Sequence, residues 1–359
     1  MLTKGDDYPL HQTAEPVAVA GTDRNFYDRY FFNGQARDGA PFFAAALGVY
    51  PHLNVMDAAI AVVAGGRQRS VIASRILHSE RLDTQVAPIR IEVLEPLKRL
   101  RLTVAPNDSG IEADLIFTGR FAPIEEPRFT RRMGPRTLMD VTRMTQSGSW
   151  EGWLGIDGVR HDAGGWTGTR DRSWGVRPIG APDPQPPVPM APPQFYWLWA
   201  PLVFDDHLLF FHTNDDGDGV PWNRSAVLIG PDGVEKRLGN VRATLGFKPG
   251  TRHAATALLE ADGVRVDLAI GPTFFMHGIG YGHLTRSHGT FHGEHSIHIE
   301  AHELASVDEG VPLNNHIQAI AGATMTLADG SIHKGRGVLE QLIIGPHAPS
   351  GFQSLFDLA

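Results

Sequence analysis

Short runs of alternating or wholly apolar residues, separated by turns rich in glycine and aspartate, recur along most of this 359-residue chain. In residues 90–95 and 99–104 apolar and charged side chains alternate, which is typical of a strand with one face in water. The pairs Asp232-Gly233 and Asp262-Gly263 each stand between apolar runs, and such pairs indicate β-hairpins. Helical periodicity is nearly absent, and its best short candidate is residues 137–144. The pattern therefore predicts an all-β protein built from antiparallel sheets.

A proline-rich stretch divides these runs into two groups. Residues 182–193 carry too many prolines for a helix or a central strand. We therefore expect an N-terminal β domain in residues 1–181, a crossing in residues 182–193, and a C-terminal β domain in residues 194–359. The length of the chain also favours two domains over one. Two successive meanders predict two β-barrels or strongly curved sheets, each able to enclose an apolar ligand.

Composition excludes several classes of function. The net charge of −8 argues against a nucleic-acid surface, which needs a basic stripe. Without cysteine the chain has no disulfides, thiolate nucleophiles or thiolate metal sites, and this fits a reducing cytoplasm. The start of the chain lacks the pattern of a secretory signal, and no apolar run reaches the roughly 18 residues of a membrane span. We expect a cytoplasmic protein whose partner is a small hydrophobic molecule, and the sequence is compatible with a homodimer.

One segment concentrates aromatic and charged side chains. Trp166 and Trp174 flank Arg170, Asp171 and Arg172. On a strand, Asp171 points to one face and the two arginines to the other, because side chains alternate. The flanking cations favour the ionised form of Asp171. The cluster is either part of a binding site or a structural ion-pair network that fastens two sheets together.

A second segment concentrates histidine, since seven of the 17 histidines lie within residues 277–302. A strand that begins at His292 would carry titratable side chains on one face and turn Ile297 and Ile299 to the core. The polar face would consist of His292, Glu294, Ser296, His298, Glu300 and His302. Imidazole gives and takes protons near neutral pH, so a histidine–glutamate pair can serve acid–base chemistry. The same pattern also fits a metal site or a solvated sheet face.

The block Arg170-Asp171-Arg172-Ser173-Trp174-Gly175, followed by a proline-rich crossing and an aromatic strand, resembles the carotenoid 1,2-hydratase (hydroxyneurosporene synthase) superfamily. The sequences Gly280–His283 and His288–Glu294 resemble a bacterial branch of it. The resemblance implies two consecutive lipocalin-like domains and a buried apolar pocket. It also implies chemistry without a cofactor on an isoprenoid or polycyclic substrate. Hydration, dehydration, cyclisation and isomerisation all stay open.

Together these observations predict a lyase or isomerase without cofactor or metal, acting by acid–base chemistry on a terpenoid, steroid or polyketide-like substrate. Asp171 is the first candidate for the acid, although its neighbouring arginines lower its pKa. If Asp171 is ionised, it orients a histidine, and His288, His292 or Glu294 transfers the proton. The substrate-binding candidates are Trp166, Arg170, Arg172, Trp174, Tyr196, Trp197 and Tyr281.

Two rival hypotheses come from other classes. A lipid or sterol carrier without catalysis needs the same curved sheets and aromatic side chains, but no convergent titratable groups. A metalloenzyme that uses the histidine-rich segment is the third.

Overall fold

In a computed structural model, which describes residues 14, 16–19, 23–185, 188 and 192–359, the chain forms two units. Unit 1 contains the chain up to Pro182 together with Gly278–Leu304, and unit 2 contains Asp183–His277 and Ala305–Ala359. The sequence-based division places residues 278–304 in the C-terminal domain, so their membership of unit 1 is a difference from it. Part of the proline-rich crossing, residues 186, 187 and 189–191, lies outside the described residues.

The described residues form strands and short 3-10 helices, without an α-helix, as the turn spacing predicts. The strands are β1 (Phe26–Gln35), β2 (Phe42–Tyr50), β3 (Val55–Ala64), β4 (Arg67–Ile76), β5 (Gln85–Val86), β6 (Ile89–Glu95), β7 (Arg99–Val104), β8 (Ile111–Gly119), β9 (Ile124–Glu125), β10 (Phe129–Met133), β11 (Arg136–Ile156), β12 (Val159–Asp162), β13 (Trp166–Val176), β14 (Phe195–Phe204), β15 (Leu208–Asp215), β16 (Pro221–Ile229), β17 (Glu235–Leu238), β18 (Arg242–Phe247), β19 (Ala254–Ala261), β20 (Val264–Phe275), β21 (Ser296–Glu303), β22 (Ile317–Leu327) and β23 (Ile332–Ile344). The 3-10 helices are Pro51–Leu53, Met276–Ile279, Leu304–Ser306, Pro312–Asn314 and Ala348–Ser350. In the part of the chain described here, no helix is long and apolar enough to cross a membrane.

Unit 1 is built on one curved antiparallel sheet. Its strands follow the order β21-β4-β3-β2-β1-β13-β11-β8-β7-β6-β5, and β9, β10 and β12 pair with β11. Residues 137–144, the best helical candidate from the sequence, lie within β11. That expectation was wrong because β11 pairs with both β8 and β13, and this pairing outweighs weak local periodicity.

An aromatic cluster lies in the core of unit 1. Trp150 is fully buried, and its ring meets those of Phe32, Phe43 and Phe117 edge-on at centroid distances of 5.2–5.7 Å. Its Nε1 donates a hydrogen bond of 2.9 Å to the carbonyl oxygen of Asn33. Edge-to-face contacts of this kind pack a core closely. Aromatic rings therefore occupy the part of the interior around Trp150.

The histidine-rich segment adds the edge strand β21 to this sheet, next to β4. The strand begins at Ser296 rather than at His292. Its faces are the reverse of the expectation, because His298, Glu300 and His302 are half-buried while Ile297 and Ile299 are exposed. An edge strand pairs on one side only, so its alternation alone does not say which face is covered.

Unit 2 is a second curved antiparallel sheet, in the order β17-β16-β15-β14-β23-β22-β20-β19-β18. Its core consists of alternate apolar side chains, among them Leu202, Phe211, Leu259, Val266 and Met325. The two units together confirm the predicted all-β class with two curved antiparallel sheets.

Candidate functional site

The Arg170–Arg172 block lies in β13, between β1 and β11. Its alternation is the one predicted from the sequence. Arg170 Nε donates a hydrogen bond of 2.7 Å to Gln146, and Arg172 Nη1 pairs with Asp28 at 2.5 Å. Burial, followed by the charge of Arg172, lowers the pKa of Arg170 to about 10. The two arginines thus have separate partners on the face opposite to Asp171.

Asp171 belongs to a buried chain of charged groups. Arg143 Nη2 donates a hydrogen bond of 2.8 Å to Asp171 Oδ2, and Arg143 Nε lies 3.3 Å from Glu126 Oε1. Glu126 also accepts the hydroxyl hydrogen of Thr145 at 2.5 Å. This arrangement supports the structural interpretation of Asp171, since its carboxylate is paired with a guanidinium.

The two tryptophans of this block have different surroundings. Trp166 is buried and belongs to the core of unit 1, whereas Trp174 is 39% exposed. Trp174 is thus the one with an indole face accessible to solvent.

A carboxyl group that the sequence analysis did not select is buried in β3. Asp57 is the one charged residue of the strand Val55–Ala64, and the register places it opposite Gly48 in β2 and Ser74 in β4. Because strand side chains alternate, Asp57 points away from the core formed by Met56 and Ala58.

The Asp57 carboxyl group has three kinds of polar neighbour. Tyr50 Oη donates to Oδ1 at 3.3 Å, the Gly289 N–H donates to Oδ2 at 2.7 Å, and Arg29 provides a nearby positive charge. Burial nevertheless outweighs these contributions and raises the pKa of Asp57. The group is therefore more readily protonated than an exposed aspartate.

Residues 278–304 cover this face of the sheet in unit 1. Arg29 Nη2 donates a hydrogen bond of 3.3 Å to the carbonyl oxygen of Ile279, and its guanidinium lies 4.9 Å from the ring centroid of Tyr281. The Tyr281 ring in turn meets the buried His288 edge-on at 4.4 Å. Tyr281, which was selected from the sequence, thus lies beside Arg29, and His288, also selected, packs against Tyr281.

A small cavity in unit 1 adjoins Asp57. Its lining includes Asp57, Ser74, Arg286, Thr290 and His292. The volume available to the centre of a water molecule is about 10 Å³, which is close to the minimum needed to hold one water. The cavity therefore places a buried carboxyl group and an imidazole around a water-sized space.

His292 is held at this cavity by its backbone, whose N–H donates to Ser74 Oγ at 3.1 Å. Burial, followed by the positive charge of Arg286, lowers the pKa of His292. Its imidazole is therefore neutral, and able to accept a proton, at lower pH than an ordinary histidine.

Glu294 lies elsewhere, at the end of β4. It accepts hydrogen bonds from the Ile76 N–H at 2.9 Å and from His78 Nε2 at 3.0 Å. These bonds lower the pKa of Glu294, which is largely exposed. Glu294 is not among the residues that line the cavity of Asp57.

The half-buried face of β21 brings His283, His298 and Glu300 together. His283 Nδ1 accepts the N–H groups of Thr285 and Arg286 at 3.2 and 2.8 Å, while its Nε2 lies 3.1 Å from Glu300. With Nδ1 accepting, Nε2 must carry the proton and donate it to Glu300. A metal ion at Nε2 would leave the ring proton on Nδ1, where it would face two N–H donors, so this geometry favours a hydrogen-bonded pair over a metal site.

The two unit 2 candidates are buried in β14. Tyr196 stacks on His347 at a centroid distance of 3.8 Å, and burial raises its pKa. Trp197 Nε1 donates to Glu340 at 3.1 Å, and Glu340 also lies 2.8 Å from His316 Nε2. Both aromatic side chains thus have defined partners within unit 2.

The sequence analysis did not select Asp57, Tyr50 or Arg29 as site residues. The available signal was clearest for Asp57, the one charged residue of the otherwise apolar strand Val55–Ala64. A buried charge needs a partner and therefore marks a specific environment.

The fold defines the class of all-β proteins made from two curved antiparallel sheets, and in this chain titratable groups are buried against one sheet face. The chain belongs to a family of unknown function, DUF8625, which it matches over residues 2–353. No curated protein matches its sequence.

Two solved structures share the fold at low sequence identity. One is a protein proposed to be AttH, from Nitrosomonas europaea, with 12% identity and a TM-score of 0.56 over 93% of this chain and 98% of that one. The other is kievitone hydratase from Nectria haematococca, with 11% identity and a TM-score of 0.53 over 91% and 92% of the two chains. These likenesses show the fold.

Proposed function

We propose that this protein is a hydratase-type lyase or isomerase that acts by acid–base chemistry, without a cofactor, on a hydrophobic alkene. One observation carries the proposal. Asp57, with a raised pKa, and His292, with a lowered pKa, line the same water-sized cavity. When the environments of two titratable groups shift their pKa values in opposite directions, one group is suited to act as the acid and the other as the base.

The cavity holds about one water, so residues 278–304, which supply Arg286, Thr290 and His292 to its lining, have to move to admit the alkene. In hydration, the protonated Asp57 then donates its proton to one carbon of the double bond. His292 accepts a proton from the water whose oxygen bonds to the other carbon. The product gains one water, and Asp57 and His292 return to their starting states when the imidazolium proton passes back through solvent. Dehydration is the reverse reaction, and isomerisation uses the same pair to remove one proton and deliver another.

Other candidates from the sequence take supporting roles in this proposal. Asp171 holds Arg143 and stabilises the sheet instead of serving as the acid. Tyr281 lies against Arg29, whose charge limits the rise in the pKa of Asp57, and His288 packs on Tyr281. The exposed indole of Trp174 stays a candidate for contact with an apolar substrate.

The likeness in fold to kievitone hydratase supports the hydratase assignment. A terpenoid, steroid or polyketide-like alkene is the proposed substrate class. The cytoplasmic location and the homodimer stay predictions.

The test is turnover of a panel of terpenoid, steroid and polyketide alkenes in water labelled with ¹⁸O, followed by mass spectrometry. Hydration adds one labelled water, whereas isomerisation changes retention without a change of mass. Asp57→Asn and His292→Gln should each lower kcat at least about 100-fold, the usual size of an acid or base contribution. Asp114→Asn, which alters an exposed ion pair with Arg101, is the matched control and should leave turnover unchanged.

The pH dependence gives a second readout. Activity should fall at low pH as His292 gains a proton, with a midpoint below its ordinary value of 6.5, and at high pH as Asp57 ionises. Tyr50→Phe removes a hydrogen bond that lowers the pKa of Asp57, so it should move the alkaline limb to higher pH. Normal turnover by Asp57→Asn would contradict the proposal, and alkenes that bind but return unchanged would favour the carrier.

A further inference from the structure

A group of metal-binding side chains lies in unit 2, on elements that the proposed function does not use. Asp206 and His207 form the turn between β14 and β15, and His333 lies near the start of β23. Strands β14 and β23 are paired, with Phe204 opposite Gly335. This register brings the turn next to His333, although the residues are distant in sequence.

The three side chains point their ligand atoms at one place. Nδ1 of His207 lies 2.6 Å from Oδ1 of Asp206, and Nδ1 of His333 lies 3.3 Å from the same oxygen. The ligand atoms all lie within 4.8 Å of one another. A tetrahedral zinc ion with bonds of 2.0–2.1 Å holds its ligands about 3.3 Å apart, so small side-chain movements would admit the ion.

One hydrogen bond fits the tautomer that metal binding needs at His333. His333 Nε2 lies 3.2 Å from Ser331 Oγ. When Nε2 donates its proton to that hydroxyl, Nδ1 presents a lone pair toward Asp206. The situation at His283 is the opposite, because its Nδ1 lone pair already accepts hydrogen bonds from two backbone N–H groups.

The proton between His207 and Asp206 is exchanged for the ion. His207 Nδ1 shares its proton with Asp206 Oδ1 at 2.6 Å, and an ion bound there releases this proton to solvent. The Asp206 side chain is about half exposed, so an ion can enter from solvent and retain water as a further ligand.

We propose that Asp206 Oδ1, His207 Nδ1 and His333 Nδ1 form a binding site for one Zn²⁺ ion per chain. Two imidazoles and a carboxylate are ligands that zinc accepts readily. The ion joins the β14–β15 turn to the start of β23 and so stabilises unit 2. This inference does not depend on the proposed acid–base function.

The test uses the full chain, freed of metal with a chelator and then titrated calorimetrically with Zn²⁺ alone. We expect one ion per chain with a dissociation constant in the micromolar range or tighter, and a rise in Tm with added Zn²⁺. Co²⁺ at the same site should give the visible absorption bands of a four- or five-coordinate ion.

Variants separate this site from the rest of the molecule. His333→Ala should weaken binding at least about 100-fold, and Ser331→Ala, which removes the partner of Nε2, about 10-fold. His298→Ala, in the cluster whose tautomer disfavours metal, is the matched control and should bind like the unaltered protein. If His333→Ala is poorly folded, Asp206→Asn and Ser331→Ala carry the test. The proposal is overturned if the unaltered chain binds no stoichiometric Zn²⁺, or if His298→Ala loses binding while His333→Ala keeps it.

Discussion

The hydroxyl group of Tyr50 reaches Asp57 by passing over Gly48, the residue that faces Asp57 across β2 and β3. A Cβ atom on Gly48 would lie 2.4 Å from Tyr50 Oη and 2.7 Å from its Cζ. Since Tyr50 is fully buried, its ring has little room to move aside. The glycine is therefore what allows the tyrosine to donate to the buried carboxyl group.

Gly48→Ala should lower the free energy of unfolding by about 1–3 kcal/mol, the usual cost of overpacking. Gly322→Ala is its matched control, because the nearest atoms to a Cβ there are 4.0 Å away and the backbone has ordinary φ. The control should be neutral or slightly stabilising. Urea unfolding of both variants checks this, and equal effects would show that the space above Gly48 is not restricted.

Asp57 should make the stability of the protein depend on pH. Its pKa is higher in the folded than in the unfolded chain, so the folded state binds the proton more tightly. The resulting stabilisation is fully present below the unfolded value of about 3.9 and is lost as pH rises through the folded pKa.

Over that interval Asp57→Asn should lose less stability with rising pH than the unaltered protein. Urea unfolding between pH 4 and pH 8 measures the difference. Asp114→Asn is the control and should run parallel to the unaltered protein over this interval, because Arg101 lowers the pKa of Asp114 and its stabilisation is lost only as pH falls below the unfolded value of about 3.9. If the free energy of unfolding changed with pH in the same way for Asp57→Asn and the unaltered protein, the prediction would be contradicted.

Arg143 stabilises two buried carboxylates, Asp171 and Glu126. Arg143→Met should lower the free energy of unfolding by about 3–5 kcal/mol, because it leaves charge buried without its cation. Arg101→Met removes the cation of an exposed pair with Asp114 and should cost less than about 1 kcal/mol. Chemical unfolding at pH 7 compares the two, and a small loss for Arg143→Met would mean that other groups carry the pairing.

Trp150 should be the largest single contributor to the core of unit 1. Trp150→Ala should cost about 3–5 kcal/mol and create a cavity among Phe32, Phe43 and Phe117. Trp153→Ala is the control, since that half-buried ring lies under the Arg160 guanidinium and its loss should cost about 1 kcal/mol or less. Binding of an apolar dye, together with thermal unfolding, measures both effects. A ligand chamber already present in the unaltered protein would bind dye before the mutation.

Much of the fold was predictable because its signals are local. The turn at Asp262-Gly263 closes the hairpin of β19 and β20 as expected. The alternation around Asp171 placed its carboxylate and the arginines on opposite faces. The membership of residues 278–304 in unit 1 was not predictable. Strand β21 lies at the sheet edge because it pairs with β4, and its own sequence pattern does not identify that partner.

The candidate site was predictable in part. His292 was selected from its type and its neighbours, and it lines the cavity, but its counterpart was taken to be Asp171. The burial that raises the pKa of Asp57 depends on β2, β4 and the Gly289 backbone, 232 residues away. No local pattern reports the proximity of such distant groups.

The sequence by itself determined the all-β class, the hairpin turns and the two faces of β13, because backbone geometry and side-chain alternation act over a few residues. Only the tertiary structure decided that Asp57 and His292 share a cavity and that Phe32, Phe43 and Phe117 surround Trp150. Both depend on strand register, where a shift of one residue would turn Asp57 to the opposite face of the sheet.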